Sequence, residues 1–251
     1  MVHDRNFAEA FNDPTFGLFC RGPHPARPEH RRTRPNLIDP MTAFGKFLSG
    51  FLDFQRARLE ADPGVFARLA LRQTPKCMVI ACCDSRVDPA ILANAEPGEL
   101  FIVRNVANLV PPYEPDSRYH ATSAALEFAV NALHVEYIIV MGHAGCGGIQ
   151  AMLANDPELT PEHPFIHRWM SLAEPARQRT LELLADQPLE KQAAFCEREV
   201  IKVSLRNLVS FPCIAERVAA GTLHLRGLYF DIAGATLFQY REDSGSFEPV
   251  R

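Results

Sequence analysis

Three short, uninterrupted apolar runs stand in the middle of this chain: Cys77 to Cys82, Leu100 to Val103 and Tyr137 to Met141. Runs of this length without polar alternation suit strands covered on both faces. Between the last two, Ala121 to Leu133 has helical spacing, and residues 190–208 have it again. Strands alternating with helices predict an α/β fold, a mainly parallel central sheet flanked by helices, with right-handed crossovers and ligands beyond the carboxyl ends of the strands. Farther on, Thr222 to Phe230 and Ala235 to Tyr240 predict a late β-hairpin turning near Gly234. Upstream, Phe44, Phe47, Leu48, Phe51 and Phe54, then Val65, Phe66 and Leu69, recur at helical spacing around the break Asp62-Pro63-Gly64. They predict a pair of amphipathic helices. Residues 1–40 are rich in Pro, Arg and His, with one short helix expected near Phe7 to Phe11. The division is therefore an amino-terminal arm, 1–40, and a single α/β domain, 41–251.

A hydrophobic content of 47% in 251 residues is ample for one buried core. A net charge of −4 leaves no electrostatic footprint for nucleic acid. The small basic cluster Arg27, His30, Arg31, Arg32 and Arg34 reads as a solvated arm. No apolar run approaches the ~20 residues that cross a bilayer, and the start Met1-Val2-His3-Asp4-Arg5 lacks the apolar centre of a signal peptide. A soluble, cytoplasmic protein without membrane or nucleic-acid partners is expected. Seven cysteines, an odd number without a secretory signal, speak for metal binding or reduced thiols rather than a disulfide framework.

The chemistry gathers where the apolar runs end. Cys82-Cys83-Asp84-Ser85-Arg86 closes the first, and His143-Ala144-Gly145-Cys146 follows the third. Two thiols and an imidazole make three zinc ligands, and a zinc held by three protein groups keeps a fourth position for water or substrate. Cys82 and Cys83 cannot point the same way from an extended strand, so only one can be a ligand. Cys146 lies in a Gly-rich turn that opens a helix through Gly147-Gly148-Ile149, where a helix amino terminus favours a thiolate. The same turn could be read as a dinucleotide phosphate cradle, but that fingerprint needs an acidic residue about twenty positions on. The chain passes instead through Pro157, Pro161 and Pro164. Asp84 and Arg86, two apart, share a side of an extended segment and can form a bidentate pair. These residues suggest a hydrolytic or hydrating zinc enzyme.

As they stand, these residues resemble the β-class carbonic anhydrases, whose pattern is Cys-x-Asp-Ser-Arg and then His-x-x-Cys. The likeness extends to Gln73-Thr74-Pro75-Lys76, Pro97-Gly98-Glu99, Arg104-Asn105-Val106-Ala107-Asn108-Leu109-Val110-Pro111-Pro112 and Gly142 through Ile149, and spans roughly residues 44–240. It implies a lyase, carbonate dehydratase, with one Zn2+ per chain held by Cys82, His143 and Cys146. It implies that Arg86 holds Asp84 ionised and off the metal, so that Asp84 accepts a hydrogen bond from the zinc-bound water or hydroxide. Freed from Arg86, Asp84 could itself take the fourth position. Gln73 and Phe101 would line the carbon dioxide and bicarbonate pocket, with Val106, Ala107 and Gly147 completing it. The amphipathic helices would pack across a partner, giving a homodimer or higher homo-oligomer. Two thiolates donate more charge to zinc than imidazoles do, so activity should rise toward alkaline pH.

Two departures bear on this. Many plant-type members carry a tyrosine where this chain has Phe128, so a pocket hydroxyl is missing. Members inhibited by bicarbonate at a second site carry a tryptophan where this chain has Val79, although Arg104 of that site is present. The alternatives are a hydrolase of carbon disulfide or carbonyl sulfide on the same scaffold, and a structural-zinc interaction protein in which Asp84 or a fourth side chain closes the metal.

Overall fold

The structure, a computed structural model, describes residues 41–116, 120–156 and 160–251. The short helix expected near 7–11 and the basic cluster at 27–34 lie outside them. Two compact units emerge, divided between Gln73 and Thr74. The first contains the expected helix pair, α1 (Ala43–Ala61) and α2 (Val65–Leu69). Thr42 caps α1, its hydroxyl accepting from the Gly45 amide at 2.9 Å, and Asp62-Pro63-Gly64 separates the helices. Phe44, Phe47, Phe51 and Phe54 are all exposed along α1.

In the second unit a six-stranded sheet runs β2-β1-β3-β4-β5-β6. Its strands are β1 (Cys77–Cys82), β2 (Leu100–Asn105), β3 (Tyr137–His143), β4 (His224–Asp231), β5 (Thr236–Arg241) and β6 (Ser246–Pro249). The first four pair in parallel and the last two antiparallel. The expected hairpin is thus β4–β5, turning through Ile232–Ala235, and it continues into a third strand, β6. Four residues long with Phe247 its one large apolar side chain, Ser246–Pro249 carries too little apolar pattern to be read as a strand from sequence.

Helices connect these strands: α3 (Pro89–Leu92), α4 (Ala121–Glu127), α5 (Gly147–Ala154), α6 (Pro164–Met170), α7 (Glu174–Leu184), α8 (Leu189–Val209) and α9 (Pro212–Ala219). The helix expected at 121–133 is α-helical only to Glu127 and finishes in a π turn, Phe128–Ala132, closed by the Leu133 amide on the Phe128 carbonyl at 3.1 Å. Alternation assigns the strand residues to faces. Met78 and Ile80 of β1, with Ile138 and Val140 of β3, pack with Ile201 and Leu208 of α8, whereas Val79, Ala81 and Met141 form a small cluster of their own. A second large cluster gathers Cys82, Ala107, Cys146, Ile149 and Val200 beyond the strand ends. It is the packing around the site.

Candidate metal centre

The chain leaves β1 toward β2 on one side, while β3 pairs with β1 on the other, so the strand order reverses between β1 and β3. Such a reversal leaves a crevice beyond the carboxyl ends of those two strands. Cys82 is the last residue of β1, His143 the last of β3, and Cys146 the cap residue of α5. All three are buried. Their ligand atoms lie within 4.8 Å of one another, the one such group of three among the described residues.

The donor set fits zinc. Tetrahedral zinc with 2.3 Å bonds to sulfur sets two thiolates roughly 3.8 Å apart, and the Cys82 and Cys146 sulfurs stand 4.0 Å apart. His143 Nδ1 donates to the Ala144 carbonyl at 3.0 Å, which leaves Nε2 with its lone pair. That Nε2 is buried and, among the described residues, has no hydrogen-bond partner, as a metal ligand's nitrogen would be. Cys83, by contrast, is exposed. The Cys146 thiol draws the pKa of the Cys82 thiol downward, against burial and aided by His143 and the amides of Asp84 and Ala107. The same contact, with burial, pushes Cys146 upward.

The Ala107 amide reaches Cys82 because the backbone turns left-handed there, with φ of 63° at Ala107 and 48° at Asn108. Neither is glycine, so the turn is strained. Asn105 braces it from both sides, accepting from the Leu109 amide and donating to the Leu109 carbonyl, each at 2.9 Å.

Asp84 and Arg86 do meet, but across a turn rather than along an extended strand: the Val87 amide bonds the Asp84 carbonyl at 3.1 Å. Arg86 donates Nε to Asp84 Oδ1 at 2.9 Å, Nη2 to Oδ2 at 2.6 Å and its own amide to Oδ1 at 3.0 Å. Nη2 also reaches the Gly145 carbonyl at 2.9 Å, tying the two ligand loops together. The Arg86 contacts hold the Asp84 carboxyl well below the usual carboxylate range. Its Oδ2 stands 3.8 Å from His143 Nε2, beside the metal position.

Arg104 is fully committed. From β2 it donates to the carbonyls of Cys82 at 3.0 Å, Asp84 at 2.7 Å and Val87 at 3.0 Å, and to Asp88 Oδ2 at 2.9 Å. Asp88 in turn caps α3. The resemblance assigns Arg104 to a second bicarbonate site; here its guanidinium instead buckles the loop that carries Asp84.

Of the expected pocket residues, Val106 and Ala107 sit in the packing around the triad, and a side chain at Gly147 would meet open space. Phe101 does not join them. It pairs with Met78, four residues before Cys82, roughly 13 Å back along the strand, and lies against Phe128 with ring centres 5.9 Å apart. Gln73 belongs to the first unit. One residue escaped the sequence reading: Glu197 of α8, buried directly behind Cys146, its Oε1 accepting from the Cys146 amide at 3.0 Å. The available signal was an acid on the inward stripe Ala193, Cys196, Val200, Ser204, Leu208.

Fold and site define a doubly wound α/β enzyme built around one buried Cys–His–Cys metal site with a clamped carboxylate next to it. The family profile for carbonic anhydrase matches residues 77–237. β carbonic anhydrase 3 of Arabidopsis thaliana is 41% identical over 197 residues, 78% of this chain and 76% of that one. Among solved structures, the β-carbonic anhydrase CcaA has a TM-score of 0.77 at 28% identity, covering 83% of this chain and all of the other. A tetrameric β-carbonic anhydrase of the filamentous ascomycete Sordaria macrospora has a TM-score of 0.70 at 27% identity, covering 78% and 95%. The chain belongs to the β-carbonic anhydrase family.

Proposed function

We propose that this protein is a zinc lyase catalysing CO2 + H2O ⇌ HCO3⁻ + H⁺. The observation that carries the reading is the buried Cys82–His143–Cys146 triad with the Asp84–Arg86 pair against it. Bound zinc would supply Lewis acidity, which brings proton loss from water down from a pKa of 15.7 toward roughly 7 in the best-known case. The protein's own groups do the rest. Cys82, Cys146 and His143 Nε2 hold the ion. Arg86 keeps Asp84 anionic and turned aside, so that Oδ2 accepts a hydrogen bond from the attacking oxygen and aims its lone pair at carbon. The open space beside Gly147, with Val106 and Ala107 in the packing nearby, leaves room for a linear triatomic molecule.

We further propose a homo-oligomer in a reducing, cytoplasmic setting, where the ligand thiols stay unoxidised. Supporting the oligomer are the exposed phenylalanines of α1, the half-buried apolar edge strand β2, and the tetrameric state of the Sordaria relatives. Phe101, on that edge and remote from its own triad, would serve a pocket only in another copy. No helix among the described residues is long and apolar enough to span a membrane.

The test is metal analysis with stopped-flow CO2 hydration. One zinc per chain and turnover are expected, with Cys82→Ser losing the metal and Cys83→Ser keeping it. Equal zinc loss in both variants would sink the ligand assignment. A zinc-loaded protein that hydrolyses carbon disulfide or carbonyl sulfide but leaves CO2 untouched would move the activity to the alternative substrate.

A further inference from the structure

We infer that Glu197 is a positioning residue for the metal, setting the direction of the Cys146 thiolate from behind and coupling it to the antiparallel end of the sheet; this rests on the zinc reading above. Glu197 is only 2% exposed. A carboxylate that deep is costly unless its lone pairs are met, and here backbone and hydroxyl donors meet them. Oε1 takes the Cys146 amide at 3.0 Å and Oε2 the Tyr229 hydroxyl at 2.9 Å, with the Gly145 amide adding to the set. No cation bonds it. The Arg198 guanidinium lies instead over the Tyr229 ring, 4.0 Å from its centre. Burial raises the Glu197 carboxyl while the Cys146 amide and Tyr229 hydroxyl favour its ionised form.

What those bonds fix is the peptide between Gly145 and Cys146. Gly145 has φ of 70°, a conformation with little steric restraint on a residue lacking Cβ, so the loop alone does not determine where the Cys146 amide points. Glu197 holds its N–H end, from a helix packed against β3 and β4, while Arg86 holds the Gly145 carbonyl of the same peptide at 2.9 Å from the opposite side. With the amide held from behind, the Cys146 side chain faces Cys82. On its other side Tyr229 contacts Phe238 of β5 and Phe247 of β6, with ring centres at 6.4 and 6.2 Å. A line of direct contacts therefore runs from β6 through Tyr229 and Glu197 to a metal ligand. Groups that orient ligands in this way usually matter to metal affinity by about 10- to 100-fold.

The experiment measures zinc affinity of the purified full chain by competition with a chromophoric chelator, alongside circular dichroism and the spectrum of the cobalt-substituted protein. Glu197→Ala should bind zinc about 10- to 100-fold more weakly and shift the thiolate-to-cobalt band. Glu197→Gln keeps an oxygen for the Cys146 amide and should stay within about threefold of wild type. Tyr229→Phe, which frees Oε2 and leaves every ligand in place, should weaken binding by several-fold. If Glu197→Ala is folded and binds zinc like wild type, the inference is overturned. If Glu197→Ala does not fold, wild-type affinity in Tyr229→Phe overturns it, and so does a Glu197→Gln loss as large as about tenfold. Absence of zinc from the wild-type protein would instead remove the metal reading itself.

Discussion

Arg104→Lys separates the loop's support from the chemistry, because Arg104 touches no ligand side chain yet bonds three carbonyls of the segment that presents Asp84 and Arg86. A lysine ammonium keeps the charge but concentrates its donors on one nitrogen without the planar fork. From β2 it can serve the Asp88 carboxylate or part of the carbonyl set, so two or three of the four bonds are lost. Bonds to charged donors are worth about 1.5–3 kcal/mol each. The Arg104 side chain is 27% exposed, and water recovers part of that, so about 1 kcal/mol per lost bond is the working figure. The total is about 2–3 kcal/mol. For a domain of this size that lowers Tm by roughly 4–12 °C. Function should suffer more than stability suggests. With its carbonyl released, Asp84 no longer sits at a fixed distance from His143, and turnover should fall by about tenfold or more, the usual scale of positioned acid–base effects. Zinc should remain at one per chain. Calorimetry, metal analysis and stopped-flow hydration on one preparation read all three quantities. Melting within about 1 °C of wild type with unchanged turnover would show that the Asp84 turn and the α3 cap hold the loop without Arg104.

Arg86→Ala should reduce CO2 hydration by about tenfold and change the protein's acid stability. Asp84 is held low in the folded protein, so its contribution to stability is present above the free-carboxylate pKa and is lost as pH falls below about 4 toward its folded value; without Arg86 that acid-dependent part of an unfolding titration should shrink, and a variant with wild-type turnover and an unchanged acid unfolding profile would refute the clamp. With Val79 in place of an indole wall and Arg104 engaged, kcat/KM should follow a single non-cooperative titration, rising toward alkaline pH, at all bicarbonate concentrations. A steep profile sharpened by bicarbonate would reveal a closing switch. Gly227→Ala places a Cβ 2.9 Å from Ile201 Cγ2, 3.0 Å from Leu205 Cδ1 and 3.1 Å from Tyr240 Cβ. It should cost about 1–3 kcal/mol in a urea melt, and a neutral result would mean that α8 can move off β4 freely.

The strands and ligands were legible for one reason: each is dictated by side-chain chemistry acting locally. Cys77–Cys82 is a strand in the structure over the range its apolar run predicts, and the runs at 100 and 137 extend two residues farther, to Asn105 and His143. There polar residues take over because the site begins. The hairpin was legible too, while β6 was not, since a four-residue edge strand owes its existence to pairing with β5 rather than to its own pattern. Helices α6, α7 and α9 begin with proline at the first or second position, a start signal overlooked among this chain's many prolines.

The supports of the site were illegible for the opposite reason. Zinc demands Cys and His by type, so spacing and residue identity announce them. Orienting those ligands demands only a donor or acceptor at the right point in space, and partners far away in sequence supply it: Arg104 reaches back 22 positions to Cys82, and Glu197 reaches 51 to Cys146. Neither can be assigned without the sheet order that brings β2 against β1 and α8 against β3. Phe101 marks the limit of a single chain: residue type and family spacing assign it to a pocket, while register sets it beside Met78, so within one chain its strand does not deliver it to the triad. Residue type therefore identifies what binds the metal, while topology decides which other residues can reach it.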